Sequence, residues 1–126
     1  MLSCAALTFL GAAALTDVSA LSSEVETGAR ALTVQTEITP SLMADLADFS
    51  GDAERLSVAL NQAGVEQELP CIFHDIATDA RMRMSEFSDA DTAAERTAAF
   101  TNLRVLMDDA IQLAPIAASI SADELK

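Results

Sequence analysis

The chain has 126 residues, of which 51% are hydrophobic, 21% charged and 4% aromatic. This composition predicts one small helical domain, and it excludes a disordered chain and an all-β domain, which needs more β-branched and aromatic residues. The 7 Lys and Arg are scattered among 20 Asp and Glu, for a net charge of −13. This distribution excludes binding to nucleic acid or to an anionic membrane surface, both of which need clustered basic side chains. Such acidity keeps a protein soluble, and it also attracts basic partners or cations.

The first 20 residues are typical of a signal peptide. Residues 2–15 are uncharged and mostly apolar, and the small side chain of Ala20, with Val18 two residues before it, fits a signal-peptidase site. We therefore predict cleavage between Ala20 and Leu21 and export of the protein to the periplasm or the medium.

Removal of residues 1–20 would leave residues 21–126 as a single acidic helical domain. The apolar run is too short to span a bilayer, so we expect no stable membrane insertion after processing. Since no Lys or Arg precedes the run, two alternatives stay open. In one, the segment is kept and extends the first helix; in the other, Cys4 carries a lipid anchor.

Two amphipathic helices are predicted in the first half of the domain, over residues 17–36 and 40–63. Thr39 and Pro40 suit the start of the second helix, and Gly64 suits its end. Gly51 falls on the solvent side of that helix. The apolar face of the first helix comprises Val18, Leu21, Val25, Gly28 and Leu32, and that of the second comprises Leu42, Leu46, Phe49, Ala53, Leu56, Leu60 and Ala63.

Two more helices are predicted after a short acidic connection at residues 65–69, over residues 70–87 and 92–114. Asp91 or Thr92 caps the last helix, and Pro115 breaks or kinks it and leaves a frayed or docked tail. The apolar faces comprise Phe73, Ile76, Ala80, Met84 and Phe87 in one helix, and Phe100, Leu103, Leu106, Met107, Ala110, Leu113 and Ala114 in the other.

The spacing of these four helices predicts an all-α, up-down-up-down four-helix bundle. Each helix has one apolar stripe that needs a partner, and short connections make neighbouring helices antiparallel. Dimerisation through a coiled coil of the second helix is the rival arrangement, but about three heptads is short for one.

Cys71 is the first candidate functional residue. Cleavage after Ala20 would remove Cys4 and leave Cys71 as an odd cysteine, which in an exported protein indicates a reactive thiol or an intermolecular disulfide. A helical wheel places Cys71 near the polar face at the start of the third helix. We expect it to react while the protein is folded and to link a homodimer; the alternative is a small residue packed under a loop.

The pair Cys71-x-x-His74 is half of a metal site and half of a nucleophile–base pair. A second ligand pair is missing from the sequence. His74 could also hold a haem together with a methionine, namely Met82, Met84 or Met107. We find no catalytic motif and expect no cofactor.

The sequence therefore favours an exported, non-enzymatic, acidic helical bundle that binds a protein partner. The alternative is a small periplasmic-type metal, haem or thiol-redox carrier built around Cys71 and His74.

Overall fold

A computed structural model describes residues 12–66 and 68–124 of the chain. These residues contain four helices and no strand: α1 (Ala12–Thr33), α2 (Pro40–Gln62), α3 (Glu68–Asp89) and α4 (Ala93–Glu124). Each helix packs on the next along the chain, and α4 closes the ring by packing on α1. The predicted up-down-up-down four-helix bundle is thereby confirmed.

The core is formed by the apolar stripes that the sequence spacing predicts. The stripe of α2 is the most complete, because its six members from Leu42 to Leu60 are all buried and only its last member, Ala63, is half-buried. Each of the other helices contributes one buried stripe. Its largest members are Val25 and Leu32 from α1, Phe73 and Phe87 from α3, and Phe100, Leu103 and Met107 from α4.

Side-chain caps fix the starts of two helices at the predicted places. The Leu42 N–H donates to Thr39 Oγ1 at 3.0 Å, and Pro40 occupies the first turn, where its missing N–H costs nothing. At the start of α4, the Glu95 N–H donates to Thr92 Oγ1 at 3.1 Å. Thr92 is therefore the cap of α4.

Gly64 ends α2 as predicted, with the geometry of a Schellman motif. Its φ of 80° lies in the left-handed region, which a side chain would disfavour. The Gly64 N–H donates to Asn61 O and the Val65 N–H donates to Leu60 O, both at 3.0 Å. The half-buried Val65 packs against the core and anchors the turn.

At its N-terminal end, α1 is longer than predicted. It begins at Ala12 and continues without a break through Ala20 and Leu21. Val18 is fully buried and its carbonyl accepts a hydrogen bond of 2.6 Å from Ser22 Oγ. Val18 thus belongs to the apolar stripe of α1, as predicted, and the helix continues upstream of it to Ala12.

Of the two effects predicted for Pro115, a break or a kink, the break is wrong, since α4 continues past Pro115 to Glu124. A proline inside a helix loses one backbone hydrogen bond and crowds the preceding turn, which costs about 3 kcal/mol in isolation. Here Ala114 and Ala117, on either side of the exposed Pro115, are both fully buried. Their packing offsets the local penalty and keeps the tail helical.

The buried face of α2 can be tested by two truncations that lie two residues apart, on opposite faces of the helix. Leu56 is fully buried, whereas Val58 is 41% exposed. We predict that Leu56→Ala lowers the free energy of unfolding by about 2–5 kcal/mol, and that Val58→Ala lowers it by less than about 1 kcal/mol. Urea titrations measure both values, and equal losses at the two positions would contradict the assigned face.

Gly51 within α2 and Gly64 just after it provide a second test, because they should respond to alanine in opposite directions. A Cβ at Gly51 would meet the mobile end of Arg55 at 3.4 Å, so Gly51→Ala should raise the free energy of unfolding by up to about 1 kcal/mol. Gly64→Ala should lower it by about 1–2 kcal/mol, because alanine is strained at positive φ. A stability loss at Gly51 would show that α2 needs the glycine.

Candidate functional site

Cys71 lies in the first turn of α3 and is disulfide-bonded. The other cysteine of the sequence, Cys4, lies outside the described residues. Cys71 is half-buried, next to the fully buried Pro70, so it is less exposed than the helical wheel suggested. Because the sulfur is held in a disulfide, it is neither a free nucleophile nor a thiolate ligand in this structure.

His74 lies one turn further along α3 and pairs with an acidic residue of α2. Its Nδ1 is 2.9 Å from Glu54 Oε2 and 3.2 Å from Oε1. The two side chains are 42% and 39% exposed. The Cys71-x-x-His74 spacing suggested that this imidazole is a metal ligand or a base. In the structure it pairs with the carboxylate of Glu54, 20 residues away in the sequence.

The His74–Glu54 pair belongs to a row of polar contacts that ties α2 to α3. In this row, buried serines of α2 donate to backbone carbonyls of α3, so their hydroxyl groups are satisfied inside the interface. Each serine hydrogen bond is worth about 0.5–1.5 kcal/mol, and the three contacts together fix the antiparallel register of the two helices. The pairs are Ser50 Oγ to Ala77 O at 3.0 Å, Glu54 with His74, and Ser57 Oγ to Pro70 O at 2.6 Å.

The candidate metal and haem ligands lie on α3 and α4. No three side chains among His, Cys, Asp and Glu lie close enough there to hold a metal ion. Of the methionines considered as haem ligands, Met107 is fully buried in the core, Met82 is exposed and Met84 packs at the edge of the core. They pack or face solvent as ordinary side chains.

An apolar groove opens beside Cys71, between the α2–α3 connection and the end of α4. Its volume is about 400 Å³. It is lined by five branched aliphatic side chains and has two acidic residues at its edge. The aliphatic residues are Val65, Leu69, Ile72, Ile116 and Ile120, and the acidic residues are Glu66 and Glu68. We call this feature the apolar groove.

Sequence reasoning missed the groove because most of its lining, apart from Ile72, falls in segments predicted as irregular chain. Residues 65–69 were predicted as an acidic connection, although Val65 and Leu69 lie within it. The opposite wall lies beyond Pro115, where the helix was expected to end. The spacing of Ile116 and Ile120, one turn apart, is the signal that could have revealed a continued helical face.

The chain matches no protein-family model, no curated protein and no solved structure. None of the helices in residues 12–66 and 68–124 combines the length and the hydropathy needed to cross a membrane.

The disulfide of Cys71 allows a direct test of processing. If the chain is cut after Ala20, Cys4 is lost, and Cys71 can then bond only to a cysteine of another molecule. We predict that the protein from its native host begins at Leu21 and has the mass of a disulfide-linked dimer until it is reduced. Intact-mass spectrometry with and without reductant measures both properties, and Cys71→Ser should give monomer only.

A different result would overturn the cleavage. A monomer that begins at Met1, and whose cysteines react with a thiol reagent only after reduction, would show that the N-terminal segment is kept and that the bond lies within one chain.

Proposed function

We propose that this protein is an exported interaction module, without catalytic activity, that binds a basic amphipathic segment of a partner protein in the apolar groove. The observation that carries the proposal is the groove itself, where aliphatic side chains of the α2–α3 connection, α3 and α4 meet at the surface. The acidic charge of the chain supplies the preference for a basic partner.

The apolar lining of the groove supports binding to a helical segment. Leu69 and Ile72 are half-buried and Ile116 is 50% exposed, so covering them would remove further apolar surface from water. Such burial is worth about 25 cal/mol per Å². A groove between helices accepts the apolar face of an amphipathic helix, with anchors spaced three or four residues apart.

The acidic rim decides the charge of the partner. Glu66 and Glu68 are exposed at the edge of the groove, and the chain carries a net charge of −13. Lys or Arg flanking the apolar anchors would meet these carboxylates and speed the encounter, whereas an acidic partner would be repelled.

Export is supported by the mostly apolar, uncharged residues 2–15 and by the small side chain of Ala20, which fits the predicted cleavage before Leu21. A disulfide at Cys71 would persist in such an oxidising compartment, with its partner cysteine on another molecule once Cys4 is removed. The partner would accordingly be another periplasmic or secreted protein.

The groove can be tested with a synthetic amphipathic helix of Leu and Lys and with a scrambled peptide of the same composition. We predict that the amphipathic peptide binds and the scrambled peptide does not. Ile116→Glu should weaken binding about tenfold or more, because it places an unpaired carboxylate against apolar anchors. Val105→Glu is the matched control, since Val105 lies on the same helix and is 59% exposed.

The control variant adds the same charge outside the groove, so it should leave binding unchanged or slightly stronger. Titration calorimetry measures these affinities. If the two peptides bind equally, or the two variants have equal effects, the interaction is only unspecific charge attraction and the proposal is overturned.

Two other results would give the groove a different occupant. If the protein forms a non-covalent dimer that Ile116→Glu dissociates, the groove binds a second copy of the chain. If NMR spectra show contacts between residues 2–10 and the methyl groups of Ile116, the groove holds the chain's own N-terminal segment.

A further inference from the structure

A second cavity, of about 520 Å³, lies at the opposite end of the bundle. Residues 36–38 of the α1–α2 connection form one wall, and the first three turns of α4 form the other. Ile38 and the edge of Phe100 provide its apolar surface, and Arg96 and Arg104 provide two cationic side chains. Glu37 is the one acidic residue in the lining.

Among the residues that the structure describes, the two arginines of this cavity have no carboxylate partner, unlike several other arginines. Arginines 30, 55 and 83 each form an ion pair with an acidic residue on their own helix. Within the described residues, Arg96 and Arg104 form no ion pair, although acidic side chains outnumber basic ones almost three to one along the chain.

Arg104 illustrates the arrangement most clearly. Its spacing from Asp108 would allow an ordinary ion pair one turn apart. Instead its guanidinium lies over the ring of Phe100, with Cζ 5.9 Å from the ring centroid. Helical side chains lean toward the N-terminus of their helix, which favours Phe100 over Asp108. Phe100 is itself held by an edge-to-face contact with Phe87, at a centroid distance of 4.8 Å.

Arg96, Phe100 and Arg104 are spaced four residues apart and therefore share one face of α4. The ring of Phe100 is mostly buried but reaches the cavity, and both arginines line the same cavity. Two cations against the single carboxylate of Glu37 make the lining locally positive within an acidic protein. This combination suits a ligand with a negatively charged group on an apolar body.

We propose that this cavity binds a small organic carboxylate. The carboxylate accepts hydrogen bonds from Arg96 and Arg104, and the apolar part of the ligand rests against Phe100 and Ile38. The site is separate from the apolar groove, because the two lie at opposite ends of α4. It does not depend on the function proposed for the groove.

Three probes separate the contributions to binding: octanoate, its uncharged analogue octanamide, and inorganic phosphate. We predict that millimolar octanoate shifts the backbone amide resonances of residues 36–38 and 96–104 in two-dimensional NMR spectra, and that the other two compounds shift them far less. Arg96→Gln and Arg104→Gln should each weaken octanoate binding about tenfold, since each removes a charge-assisted hydrogen bond. Arg55→Gln, which changes the charge equally on α2, should leave it unchanged.

Several results would overturn this proposal. If octanamide matches octanoate, the cavity is merely apolar; if phosphate matches it, the arginines are merely an exposed cationic patch. If Arg55→Gln weakens binding as much as Arg96→Gln, the effect is one of net charge. If octanoate shifts only the resonances of Leu69, Ile72 and Ile116, it binds in the apolar groove.

Discussion

The packing of α2 against two neighbours at once is the constraint on which the rest of the bundle depends. Its apolar stripe faces the core, where burial of each Leu or Phe side chain contributes about 1.5–3 kcal/mol. It also packs on α1, where a Cβ added at Gly28 would make an ordinary van der Waals contact with Phe49 Cδ2, at 3.6 Å. On its other side, the hydroxyl groups of Ser50 and Ser57 bond to α3 carbonyls. One helix thus sets both the depth of the core and the register of α3.

The position of the apolar groove follows from this register. Gly64 turns the chain immediately after α2, and Val65 anchors the turn on the core. The hydrogen bond from Ser57 to the carbonyl of Pro70 then fixes where α3 begins. Leu69 and Ile72, which flank that first turn, are held beside the far end of α4. The groove exists because α4 continues past Pro115 and brings Ile116 to the same end of the bundle.

The parts of the structure that sequence reasoning predicted are those governed by local periodicity and local caps. The stripe of α2, the cap at Thr39 and the stop at Gly64 depend on residues within one or two turns of each other. The end of α4 was mispredicted for the complementary reason, since the local penalty of Pro115 is visible in sequence and the compensating burial of Ala117 is not.

The candidate sites were harder to predict because their residues are distant in sequence. Cys71 and His74 looked like a pair, but His74 is engaged by Glu54 from another helix. The cavity at the other end joins Ile38 to Arg96 and Arg104 only because α4 closes on α1. Periodicity within a helix cannot reveal that the α1–α2 connection lies beside the first turns of α4.

The central claim is that the apolar groove is open to a partner in the isolated protein. Hydroxyl-radical footprinting of protein from its native host measures this most directly. The oxidation rate of Ile116 and that of Val105 are each divided by the rate of the same residue in the urea-unfolded chain. The structure has these residues at 50% and 59% exposure, so we predict similar normalised rates. An Ile116 rate as low as that of the fully buried Leu103 would show that the groove is already covered, and would contradict the account.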